Sequence, residues 1–160
     1  MEMRDPAHHV SHRAIAFWTV RAVPGWLLVL AGQVLWLVLS QGQAGPRIAA
    51  LALTILSTAA HLIVMPRWRY RVHRWEVTDN AVYTQSGWIS QERRIAPISR
   101  VQTVDTHRGP LEQLFGLSNV TVTTASAAGH LRIHGLDRAV AEGMVAHLTD
   151  VTSQSAGDAT

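Results

Sequence analysis

The sequence predicts an α+β membrane protein. A two-helix transmembrane hairpin is followed by a curved antiparallel sheet, closed at one end by a C-terminal α-helix. Three observations carry this. Charged residues are only 16% of the 160-residue chain while hydrophobic ones are 48%, against roughly 25% charged in average soluble domains. The deficit is local: residues 14–65 contain two charges, Arg21 and Arg47. From residue 67 onward the pattern alternates in the manner of strands, and after Asp137 it changes to helical spacing.

The two apolar runs are Val23 to Ser40 and Ile48 to Met65, and neither holds Asp, Glu or Arg. A bilayer span needs about 20 residues, with a lower limit near 17. The first run extends back through Phe17 if Arg21 snorkels. Spans are therefore expected at about 17–40 and 48–65, inside a hairpin segment 14–66. The link Gln41 to Arg47, QGQAGPR, is short and rich in Gly and Pro, as a tight turn requires. A signal peptide fits the first run less well, because a long segment precedes it and no A-x-A site follows.

Arginine placement gives the orientation. Arg4, Arg13 and Arg21 precede the first span. Arg67, Arg69, Arg71 and Arg74 follow the second, and the link holds Arg47 alone. Both termini are expected in the cytoplasm of a multi-pass cell-membrane protein, with Trp18 and Trp68 at the inner interface. Residues 1–13 read as a cytoplasmic N-terminal tail, 67–149 as a cytoplasmic domain and 150–160 as a flexible tail.

Folding the hairpin about its midpoint puts Gln33 level with Thr54 and Ile55. Small and polar residues on one stripe mark helix–helix packing in membranes, and Gln33, Thr54, Ser57 and His61 are assigned to it. A proton relay at His61 is the rival reading, but no carboxylate accompanies it.

Beyond the spans, RWRYRVHRWEVT alternates from Arg67, with Arg67, Arg69, Arg71 and His73 on one side. Further strands are expected at Ala81–Ile89, Glu92–Ile98, Val101–His107, Asn119–Ala125 and His130–His134. Asp79-Asn80, Ser90-Gln91 and Ala128-Gly129 mark turns. Leu111–Phe115 allows one short helical turn. Val140, Met144 and Leu148 follow helical spacing, with Asp137 as N-cap. Arg67, Arg69, Arg71 and Arg74 form a basic cluster expected at the membrane surface, where each contributes on the order of 1 kcal/mol near anionic lipid. That would orient the domain rather than anchor it.

RYRVHRWEVTDNAVYTQSGWI followed by RRIAPISRVQTVDTHRGPLEQLFGLSNVTVTTA, after a membrane hairpin, resembles the bacterial pleckstrin-homology-like domain family of small membrane proteins, the YdbS-like group. The resemblance covers roughly residues 15–149, and IAPISRVQTVDTHRGPLEQLFGLSNVTV is its most specific part. Where family members often carry Gly after the Thr-rich strand, this chain has Ala125-Ser126. The resemblance implies a PH-like antiparallel split β-barrel capped by a C-terminal α-helix. It also implies a larger membrane protein with more such domains as partner, and no established activity.

No residue set reads as a catalytic, cofactor or metal site. Zero cysteine removes thiolate chemistry. No Walker loop, G-x-G-x-x-G or G-x-S-x-G is present. His8, His9 and His12 suggest a metal cluster but fall in the expected N-terminal tail. His130, Arg132 and His134 share a strand face that could take an anion or a metal, though a solvated face is simpler. Asp105 and His107 with Ser99 or Thr103 form only a nominal hydrolase set. Trp75 and Trp88 suggest an aromatic platform, though core packing is the simpler reading. All 14 basic residues are arginine, a phosphate-matching side chain, but no nucleic-acid motif accompanies them. The expectation is a non-enzymatic membrane protein without a cofactor or evident small-molecule substrate. Its PH-like domain binds a membrane-protein partner or, alternatively, reads anionic headgroups at the inner leaflet.

Overall fold

The computed structural model describes residues 5–125 and 129–157, with side chains as far as Ser153. In chain order it contains β1 (His8–His9), α1 (Arg13–Leu39), α2 (Gly45–Val72), β2 (Arg74–Val77), β3 (Ala81–Gly87) and β4 (Gln91–Pro97). After a 3₁₀ turn (Ile98–Arg100) come β5 (Val101–His107), α3 (Pro110–Leu114), β6 (Leu117–Thr124), β7 (Leu131–Asp137) and α4 (Arg138–Gly157).

The two long helices have 27 and 28 residues. At 1.5 Å per residue each is about 40 Å long, roughly 10 Å more than a hydrocarbon core. The excess enters the domain. Ala14, Phe17 and Trp18 of α1 are buried in its core beside Leu117, Leu136 and Leu148. This corrects the expected start of the first span at 17 and the interfacial role of Trp18. Beyond Arg21 the large apolar side chains of both helices, such as Leu28, Val38, Leu53 and Leu56, are exposed, as a lipid-facing surface must be.

The strand expected from Arg67 is also corrected. Helix α2 continues to Val72, so Arg67, Arg69 and Arg71 are helical, and β2 begins at Arg74. Each further helical residue gains a backbone hydrogen bond once the helix exists, and arginine is a good helix former. That outweighs a local alternation of polar and apolar residues.

The strands form two antiparallel sheets, β1-β2-β3-β4 and β5-β6-β7. Val82 and Ala96 from the first meet Val120, Val122, Leu131 and Ile133 from the second in one core, which Ala141, Met144 and Leu148 of α4 close. The sheets pack as two layers rather than as a closed barrel.

Neither end behaves as a tail over the residues described. His8 and His9 pair with Trp75 and Arg74, and Val10 and Ser11 are buried. The Ala7 N–H donates to Glu76 Oε2 at 3.0 Å, and Ser11 Oγ donates to Asp137 Oδ1 at 2.7 Å. A strand placed beside β2 satisfies backbone groups that an isolated segment would leave to water. Residues 150–157 continue α4. Met1 to Arg4, Ala128 of the expected Ala128-Gly129 turn, and 158–160 lie outside the described residues.

Candidate functional site: where the hairpin enters the domain

Within the hairpin the structure brings two helix-to-helix pairs together. Gln33 Nε2 donates to Thr54 Oγ1 at 2.8 Å, and Thr54 Oγ1 donates in turn to the Ala50 carbonyl at 3.0 Å. Gln33 Oε1 is buried without a partner. Nearer the domain, Trp26 Nε1 donates to His61 Nδ1 at 2.7 Å. Ser57 is not in this seam. It is exposed, at the outer edge of the i, i+3, i+4, i+7 stripe whose inner members are Thr54, Thr58 and His61. At the far end Arg47 closes the link, donating to the Ser40 and Gln41 carbonyls at 2.7 Å each.

The basic cluster is split by the helix that carries it. Arg67 and Arg71 are exposed, and Arg67 Nη1 caps the Ile63 carbonyl at 2.8 Å. Arg74 opens β2, its Nε 3.4 Å from the Arg71 carbonyl. Arg69 lies on another side of α2 and turns inward, its guanidinium carbon 4.7 Å from the centre of the Trp18 ring. Two residues on a helix rotate by about 200°, whereas in the expected strand all three arginines would share one face. Arg69, Arg21, Trp18, Glu112, Asn119 and His134 line a cavity of about 80 Å³ at the junction. Sequence reading missed this group, since α1, α2, α3 and the two strands β6 and β7 must converge to form it.

Two histidines beside the junction are held neutral. His73 is 4% exposed and packs on Trp18 with ring centres 5.1 Å apart. Burial, then the Arg69 charge, pushes its pKa down to about 4. His134 is lowered by burial and by Arg69, and Glu112 only partly offsets this.

The remaining candidates fall elsewhere. His8 lies against Trp75, and His9 and His12 stack on Tyr70 at 5.2 and 4.6 Å. Trp75 Nε1 donates to the His9 carbonyl at 3.3 Å. His130, Arg132 and His134 face Thr84, Ser86, Glu92 and Arg94 across a cleft of about 200 Å³ between the sheets. There Arg94 pairs with Glu92 at 2.6 Å and donates to the His130 carbonyl at 3.0 Å. Among the described residues no group of three His, Cys, Asp or Glu side chains could hold a metal. Asp105 and His107 are exposed on β5 with Thr103, and Ser99 is exposed on the 3₁₀ turn; Thr103 Oγ1 reaches Asp105 Oδ2 at 3.3 Å. Trp88 is not a core residue: it sits at the β3–β4 tip, where its carbonyl accepts from Trp68 Nε1 at 3.0 Å.

A family model described as the bacterial PH domain matches residues 19–152. The chain belongs to the bacterial PH domain family. Its two long apolar helices and the transmembrane relative below make it a transmembrane member. It is 36% identical over 75 residues to the UPF0699 transmembrane protein YdbS of Bacillus subtilis (strain 168), and the match spans 47% of each chain. The alignment thus covers about half the length of that relative. No solved structure matches this chain. In this family member the domain is rooted on its own hairpin: α1 begins in its core and α2 runs directly into β2.

Proposed function

We propose that this protein is a non-enzymatic subunit of a membrane complex, with both termini in the cytoplasm. Its domain binds a larger membrane protein that carries PH-like domains. The observation supporting this reading is strand β5. Among the described residues it pairs with β6 alone, and Gln102, Thr103, Asp105, Thr106 and His107 are exposed along its seven residues. An unpaired edge of that length is a template for another strand. Exposed Leu111 and Leu114 of α3 follow β5 and offer apolar contact beside it. A domain rooted on two spans cannot diffuse to its partner, so a partner in the same bilayer fits best.

Co-expression with a larger PH-domain membrane protein from the same genome, then purification in mild detergent, tests this. Co-elution at constant stoichiometry is expected, and lost in a Thr103→Lys/Thr106→Lys variant whose edge is blunted. Separate elution of the parent chain, or equal co-elution of the variant, would sink the reading.

A further inference from the structure

We propose that the junction cavity is a binding site for the phosphate of a phospholipid in the leaflet next to the domain, held by Arg21 and Arg69. Arg21 and Arg69 line the same cavity, close enough for their like charges to repel. Each guanidinium carries five N–H donors. Arg69 spends one face on the Trp18 ring, and among the described residues neither guanidinium donates a hydrogen bond. Glu112 on the same wall accepts from Asn119 Nδ2 at 3.4 Å and leaves the cavity net positive. His134, neutral here, keeps one ring N–H to donate. Two arginine forks without an acceptor in one cavity, Arg69 partly desolvated and Arg21 at its exposed rim, match one tetrahedral anion.

Depth decides which anion. Arg69 lies four residues past Met65, about 6 Å along the helix axis. The polar layer of a bilayer leaflet is roughly 5–8 Å thick. The cavity therefore stands at the level of lipid phosphates. Arg67 and Arg71 share that depth but are exposed, so a merely topological role would not single out Arg69. The site is independent of the β5 edge, so either proposal can fail without the other.

The test uses the full chain, purified in detergent, and native mass spectrometry with palmitoyl-oleoyl phosphatidylglycerol. One retained lipid is expected, bound about tenfold more tightly than the phosphate-free palmitoyl-oleoyl glycerol, on the scale of one lost charge-assisted bond. Arg21→Gln and Arg69→Gln should each lose that preference, and Arg69→Lys should keep part of it. Arg67→Gln and Arg71→Gln should bind as the parent does. Should Arg69→Gln not fold, Arg21→Gln decides, since Arg21 is exposed and outside the core. Three results would overturn the site: parental binding by Arg21→Gln, equal losses in Arg67→Gln, or displacement of the lipid by equimolar inorganic phosphate.

Discussion

Gly135 of β7 and Ala14 of α1 meet so closely that a side chain at 135 would crowd the helix. A Cβ at position 135 would stand 3.0 Å from the Ala14 Cβ, and Gly135 has a φ of +77°. Its backbone is held from both sides: its N–H donates to Asn119 Oδ1 at 3.0 Å, and its carbonyl accepts from the Ser11 N–H at 2.8 Å. The bulge between Ser118 and Val120 in the β6–β7 register admits this turn of chain. This contact seats the membrane hairpin in the domain.

Gly135→Ala should therefore destabilise the domain. The left-handed backbone costs roughly 1–2 kcal/mol for an L-residue, and the crowding against Ala14 adds on the order of 1 kcal/mol or more. Thermal unfolding in detergent, followed by circular dichroism, should show a clear fall in Tm. An unchanged Tm would mean that α1 can shift freely, contrary to its packing.

In the hairpin, Gln33→Leu should loosen helix pairing by only about 0.6 kcal/mol, the average for such bonds in membranes. The loss is small partly because Gln33 Oε1 already lacks a partner. Membrane insertion should be unaffected. Disulfide cross-linking between cysteines placed at Val29 and Thr58 reads the pairing, and a rise in cross-linking yield would contradict the prediction.

His73 makes stability pH-dependent. Its folded pKa of about 4 lies below the ordinary histidine value of 6.5. The unfolded chain therefore binds the extra proton first as pH falls. The stability that neutral His73 contributes is full above about 6.5 and is lost as pH falls toward about 4, at most about 3 kcal/mol. His134 acts with the same sign. Urea unfolding at pH 7 and pH 5 should show lower stability at pH 5, with a shallower dependence in His73→Asn. A pH-independent midpoint in the parent would refute it.

The β3–β4 hairpin tip should touch lipid. Ile89 is 85% exposed, and the adjoining Trp88 ring lies 5.8 Å from His61 inside the second span. Gly87 makes the turn possible, since a Cβ there would meet the Ser90 carbonyl at 1.9 Å. The chain has no cysteine, so Ile89→Cys labels cleanly with a polarity-sensitive dye. Its emission in nanodiscs should be blue-shifted relative to a His107→Cys control. Equal emission from the two positions would place the tip in water.

Sequence alone determined what depends on composition and period. Two apolar runs of 18 residues without Asp, Glu, Lys or Arg read as spans, and Val101–His107, bounded by Pro97 and Gly109-Pro110 and rich in Val and Thr, forms a strand with the expected bounds. Depth matching also named Gln33 and Thr54, because a tight link leaves a hairpin one register. Tertiary structure decided what depends on neighbours distant in the chain. Residues His8 and His9 have no strand character until β2 offers an edge. The alternation from Arg67 to Val72 lost to a helix already nucleated in the membrane. Arg69 was legible as basic, yet only the meeting of α1, α2 and β7 places it over Trp18 and in one cavity with Arg21. Local patterns encode which face a residue occupies; which charge stands across from it is set by packing, and no sequence window spans that distance.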